Sequence, residues 1–136
     1  MAENGLKAQI SAMMHKAARS IEAARALLKG GNADFSSSRS YYAVFYAIQA
    51  LLLTRGLVYS KHAGVISGFS EHFIRPGDFP REYAKYISRL FRERHAGDYD
   101  FAHAITQEDA AEDLGIAIEM VASIEEYLSE RHLLGN

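Results

Sequence analysis

The stretch that decides the fold runs from Ser38 to Gly56 and reads SRSYYAVFYAIQALLLTRG. It is apolar almost all round, and a helix with no polar face belongs at the centre of an assembly rather than on its surface. Its longest apolar run, Ala43 to Leu53, is interrupted by Gln49, and it falls far short of the ~20 residues that cross a bilayer. The serines Ser36, Ser37 and Ser38 offer N-cap hydroxyls at its start, and Gly56 offers a stop.

The flanks supply the helices that would surround it. Upstream, Leu6, Ile10, Met13, Ala17, Ile21, Ala24 and Leu28 recur at helical spacing, and Gly30-Gly31-Asn32 ends the pattern, which predicts a first helix over about Gly5 to Lys29. Downstream, Ser60 is placed to cap a third helix reaching about Ile74. Arg75-Pro76-Gly77-Asp78 then breaks the chain, and Pro80 suits the first turn of a fourth helix ending near His95. Thr106, followed by Gln107, Glu108 and Asp109, opens a fifth helix with Leu114, Ala117, Val121, Ile124 and Leu128 on its inner stripe. No segment alternates with a period of two. The expected fold is all-α, an antiparallel up-and-down bundle of about five helices forming one domain over residues 1–136. Helix two carries more apolar surface than a small bundle easily covers, so a homodimer is expected to take the excess.

Composition narrows the function. A formal charge of -2 gives the chain no overall cationic field, so nucleic-acid binding requires a local basic patch. With no cysteine, disulfides and thiolate metal sites are excluded. The start, MAENGLKAQI, lacks the apolar core of a secretory signal and implies a cytoplasmic protein that does not engage a membrane. There is no glycine-rich phosphate loop, no His-Glu-x-x-His and no Glu-x-x-His pair, so neither a metal nor another cofactor is expected.

On helix four, Tyr83, Ile87 and Leu90 mark the inner stripe, and the next position at that spacing is Arg94. An inward guanidinium needs a partner, because its charge cannot be shed by deprotonation. Asp98, one turn on, is open to two readings: a structural pair that fastens the helix end, or part of a functional pocket. Arg81, Lys85, Arg89 and Arg92 are expected on the opposite, solvated face. Helix two aligns Arg39, Tyr42 and Tyr46 on one side, where the phenols either stack on bases or simply pack. Lys61 and His62 open helix three, where free N–H groups favour an anion; a solvent-facing capping role is the alternative.

SRSYYAVFYAIQALLLTRG, then SKHAGVISGFSEHFI from Ser60, then SRLFRERHAGDYDF from Ser88, in that order on a helical chain, resembles the HEPN-domain proteins, in particular a small prokaryotic branch. The resemblance spans roughly Asp34 to Leu128. It implies a dimer in which helices two and four line a shared cleft, a minimal nucleotidyltransferase as partner, and service as the toxin of a toxin–antitoxin pair. Many HEPN domains are metal-independent ribonucleases whose motif is an arginine, four to six residues, then a histidine.

Arg89 and His95 meet that spacing, yet on a continuous helix they lie about 120° apart. Arg94 with Asp98 and Tyr99 looks like this branch's own version, in which the histidine position is lost. Two readings follow. In the first, the cleft binds RNA or a nucleotide, or docks the nucleotidyltransferase, with Tyr99 as an acceptor for nucleotide transfer. In the second, paired sites cleave RNA, with Arg94 and Arg39 on the phosphorane charge and His95 or His103 moving protons if a turn after Arg94 folds one of them back. The lost histidine favours the first.

Overall fold

Five α-helices appear among the described residues of the computed structural model, which are 2–101 and 105–135: α1 (Ala2–Lys29), α2 (Ala33–Leu53), α3 (His62–Phe69), α4 (Glu82–Tyr99) and α5 (Gln107–Glu130). No strand occurs among them. The apolar stretch from Ser38 to Leu53 falls within α2, which lies in the middle, packed against each of the other four helices. Its Tyr41, Val44, Ile48, Leu51 and Leu52 are buried, as are Ile10, Ala17 and Ala24 from α1 and Leu114, Ala117, Val121, Ile124 and Leu128 from α5. α1 and α2 run antiparallel, because Ser36 bonds back to Ala24 while Ser20 reaches Arg39. α4 returns against α2, so that Arg94 near its end meets Tyr42 near the start of α2. The chain thus goes up, down, up and down around α2, with α3 as a short brace.

Several boundaries differ from the sequence reading. The serines before Tyr41 do not cap α2: the helix starts at Ala33 with Asn32 at the N-cap, and Ser36, Ser37 and Ser38 are buried inside it. Small hydroxylated residues let α1 and α5 approach closely while finding acceptors there. Ser36 Oγ donates to the Ala24 carbonyl at 2.8 Å and Ser20 Oγ to the Arg39 carbonyl at 2.7 Å. α2 ends at Leu53, and Gly56 (φ +70°) closes the following turn. Ser60 is likewise not a cap; Lys61 holds the N-cap of α3 without a side-chain bond. The chain past α3 continues as a π-helical turn over Ser70–Ile74 before the Pro-Gly break, where Gly77 adopts φ +98°. Thr106 does cap α5, its side chain accepting from the Asp109 N–H at 3.0 Å.

α4 runs one turn past His95, to Tyr99. A Cβ on Gly97 would sit 3.2 Å from the Asp34 carbonyl oxygen, so the missing side chain is what lets the last turn of α4 lie against the first turn of α2.

Arg89 departs furthest from expectation. It is not on a solvated basic face: its Nε donates to Asp113 Oδ1 at 2.8 Å, and Asp113, on α5, is fully buried. Ser37 Oγ donates to the other carboxylate oxygen at 2.7 Å. Glu112 (3.1 Å) and Glu93 (3.4 Å) also flank the guanidinium. Burial pushes the Asp113 carboxyl up, against the pull of Arg89 and Ser37, and burial followed by Asp113 pushes Glu93 up. Arg81, Lys85 and Arg92 are exposed, as expected of a solvated face.

The premise that α2 has surplus apolar surface also fails, since α1, α3, α4 and α5 cover it within one chain. Within α2 only Phe35, in its first turn, leaves a large apolar side chain in solvent (57% exposed); the others among the described residues are Val58 (78%), Phe91 (38%), Tyr99 (64%) and Phe101 (97%).

Removing one member of a buried, bonded ion pair leaves the other charge stranded, which costs on the order of 3 kcal/mol or more. Arg89→Met should therefore lower the unfolding free energy in urea by about that much, while Arg92→Met, on the open face, should change it by less than about 0.5 kcal/mol. Equal, small effects would show that the Asp113 bond does not hold α4 in place.

Candidate functional site

The inner stripe of α4 delivers Arg94 to the wall of α2, as its spacing from Leu90 predicts. Its side chain is only 12% exposed. Nη2 donates to the Tyr42 hydroxyl at 3.2 Å, and the guanidinium carbon lies 5.2 Å from the ring centre of Tyr41, 5.4 Å from that of Tyr42 and 5.9 Å from that of Phe91. Aromatic faces carry negative potential and accept a cation at these distances. Nε is buried and makes no hydrogen bond; the nearest carboxylate oxygen, from Asp98, is 3.8 Å away, which is an ion pair rather than a bond.

Arg39 approaches Tyr42 from α2 itself, its guanidinium 4.8 Å from the ring centre. Two guanidinium groups thus lie near the Tyr42 ring. An open groove lined by Leu27, Phe35, Ser38, Arg39, Tyr42 and Asp98 runs beside it. The structure therefore brings together Arg39, Tyr42, Arg94 and Asp98, which the sequence had placed on separate helices.

His62 enters from α3 and is not a solvent-facing cap. Its ring stacks on Phe45 with centres 4.1 Å apart, and its Nδ1 lies 2.8 Å from the Tyr41 hydroxyl. Burial, with the nearby Arg94 charge second, holds its pKa below the ordinary histidine value. Burial also pushes the Tyr41 phenol well above the usual tyrosine range, with Arg94 opposing, so this hydroxyl keeps its proton throughout the working range of pH. Tyr41 and Phe45 were not singled out from the sequence. The signal available was their i, i+4 spacing on a helix apolar on every side, which fits plain core just as well.

Other candidates stand apart. Tyr46 leans on Tyr42 with ring centres 5.9 Å apart, but the Lys16 ammonium of α1 covers it at 4.8 Å. Lys61 is exposed. α4 stays helical through Tyr99, so no turn after Arg94 folds His95 back. His95 is exposed and packs against Tyr99, ring centres 5.0 Å apart. Since Arg89 is bound to Asp113, Arg89 and His95 do not form a pair. His103 lies outside the described residues. Among the described residues no three acidic or histidine side chains gather as metal ligands, and no helix is long and apolar enough to cross a membrane.

An all-helical up-and-down bundle is the fold that the HEPN resemblance implied. The HEPN domain family model matches residues 10–127, and the chain belongs to the HEPN-domain family. Among curated relatives, a UPF0332 protein of Thermotoga maritima is 39% identical over 84 residues, covering 62% of this chain and 64% of that one. A protein of Methanocaldococcus jannaschii that bears the name "Putative toxin MJ0142" is 36% identical over 104 residues, covering 76% of this chain and 71% of its own. The chain thus spans slightly under two thirds of the Thermotoga relative's length. The crystal structure of TT1696 from Thermus thermophilus superposes with a TM-score of 0.75 at 21% identity, covering 87% of this chain and 97% of that one, which shows the shared fold.

Two outcomes follow from this geometry. An ion pair that is partly exposed and 3.8 Å long stabilises little, so Asp98→Asn should change unfolding free energy by less than about 1 kcal/mol; a loss above about 2 kcal/mol would mark the pair as the fastener of the helix end. Because the folded state holds His62 below its ordinary pKa, the unfolded chain takes up that proton first. The contribution of His62 is therefore complete above about pH 6.5 and shrinks as pH falls below it. The drop in unfolding free energy between pH 7.5 and pH 5.5 should be smaller in His62→Gln than in the wild type.

Proposed function

We propose that this protein is the toxin-like member of a HEPN–nucleotidyltransferase pair and that the cleft between α2 and α4 binds RNA or a nucleotide. The observation that carries the reading is Arg94. A guanidinium nearly enclosed among three aromatic rings, with one carboxylate of its own chain, Asp98, at 3.8 Å and not hydrogen-bonded to it, keeps donors that an anion can take. Arg39 adds a second cation at the mouth, and Tyr42 between them offers a face on which a base can stack. Two relatives named as toxins support the cell-level role.

Two copies complete the cleft in this reading. Phe35, Phe91, Tyr99 and Phe101 lie exposed on α2, on α4 and just beyond its end. A second chain seated on these side chains would remove them from water. Tyr99 is an exposed tyrosine on which a nucleotidyltransferase would act, its phenol oxygen attacking the α-phosphate of a nucleoside triphosphate, losing its proton to solvent and displacing pyrophosphate. Ribonuclease activity is the second reading, favoured by the presence of an imidazole beside Arg94.

Filter binding of labelled transfer RNA and messenger RNA, in chelator and at stated salt, should show an affinity that Arg94→Ala lowers at least about tenfold. Cleavage in chelator that the same substitution abolishes would establish the ribonuclease. Equal binding by wild type and Arg94→Ala would overturn the cleft. Sedimentation should give a dimer, and a monomer mass independent of concentration would contradict the two-copy site.

A further inference from the structure

Two helices converge on one pair of phenols carried by α2. The Arg94 guanidinium reaches Tyr41 and Tyr42 from α4, and His62 reaches the same two rings from α3, with ring centres 5.8 and 5.9 Å away. The hydrogen-bond inventory then fixes the state of the imidazole. Tyr41 is fully buried, and its hydroxyl has one partner among the described residues, His62 Nδ1 at 2.8 Å. A buried O–H that keeps its proton must donate it, so Nδ1 is the acceptor and the neutral ring carries its hydrogen on Nε2. Nε2 itself bonds to nothing among the described residues and is not among the buried unpartnered atoms. Phe45 stacked beneath the ring prevents it from swinging away.

A capping residue needs none of this. An imidazole with one nitrogen anchored, its face stacked and its other nitrogen open is arranged as histidines are where they handle protons or ligands. We propose, building on the RNA- or nucleotide-binding reading above, that His62 is the working imidazole of this cleft: Nε2 meets a phosphodiester held by Arg94, donates a hydrogen bond to its oxygen, and the ring gains a proton as the anion seats.

The groups that face His62 set the sign. Tyr41, Tyr42 and Phe45 come from α2 and Arg94 from α4, while Lys61 precedes it in the chain, and the charged ones among them are all positive. Burial first, and the Arg94 charge second, hold the free ring below the ordinary histidine value. An anion between Arg94 and His62 reverses that field, so proton and phosphodiester bind with mutual assistance. Affinity must then rise as pH falls. The histidine that α4 lacks on the Arg94 face is thereby replaced from α3.

The test uses nuclear magnetic resonance of the full chain and a 2′-O-methyl RNA hexamer, which cannot be cleaved through its 2′-oxygen and whose diesters do not titrate between pH 5 and 8. The His62 resonances are identified by their loss in His62→Gln. The wild-type ring should be almost wholly the Nε2–H tautomer, and Tyr41→Phe should let it relax toward the tautomer mixture of a free histidine. Saturating hexamer at low salt should raise the His62 midpoint by about one pH unit, with affinity increasing about tenfold for each unit of that rise as pH is lowered. In His62→Gln the affinity should vary less than about twofold with pH while still depending on Arg94. A midpoint unmoved by hexamer, with binding still lost in Arg94→Ala, overturns the role of His62 and leaves the cleft standing. Absence of binding by the wild type overturns both. Should His62→Gln fail to fold, the wild-type titration decides alone, with Tyr41→Phe providing the assignment.

Discussion

The bond between Arg89 and the fully buried carboxylate of Asp113 fixes how α4 is rotated, and the candidate site depends on that rotation. Arg89 and Arg94 are five residues apart, about 140° around the helix axis. When one guanidinium is tied to α5, the other is turned toward α2. Ser37, donating to the second oxygen of Asp113, draws α2 into the same arrangement, so α2, α4 and α5 meet at a single carboxylate. A group buried at such cost specifies geometry more than it stabilises, because an apolar replacement of similar shape satisfies the core equally well. Here the geometry specified is the direction in which Arg94 points.

From that constraint the rest follows by packing. With Arg94 turned inward, its charge meets the rings of Tyr41, Tyr42 and Phe91 as well as the carboxylate of Asp98, an ion pair at 3.8 Å. The absence of a Cβ at Gly97 lets the end of α4 lie against the start of α2. α3, too short to contribute much core, brings His62 to the same phenols. A site assembled from three helices this way holds positive charge in a partly dehydrated, aromatic setting, where it interacts with a phosphate more favourably than it would in water.

Much of the architecture was legible in the sequence because it rests on periodicity. The stripes of α1 and α5, the central place of α2 and the Thr106 cap are local patterns, and so is the inward phase of Arg94, one step beyond Tyr83, Ile87 and Leu90. What was not legible depends on partners distant in the chain. Ser37 is separated from Asp113 by 76 residues and Arg89 from it by 24, so the serines looked like caps and Arg89 like one more surface cation. The surplus apolar face assigned to α2 was an error of the same kind, since α3 and α4 cover it. His62 illustrates the limit most plainly: at the head of α3 it reads equally as an anion contact or a solvent-facing cap, and only the docking of that helix shows its ring on Phe45 and its Nδ1 on Tyr41.

The central claim is that the Arg94 guanidinium is held against α2, and a double-mutant cycle on unfolding free energy tests it most directly. Arg94→Met and Tyr42→Leu, made singly and together, remove the hydrogen bond and the cation–ring contact that the two residues share. Residues in such contact should show a coupling of about 1 kcal/mol. Effects that add to within about 0.3 kcal/mol would mean that the two side chains do not touch, and the cleft as described would not exist.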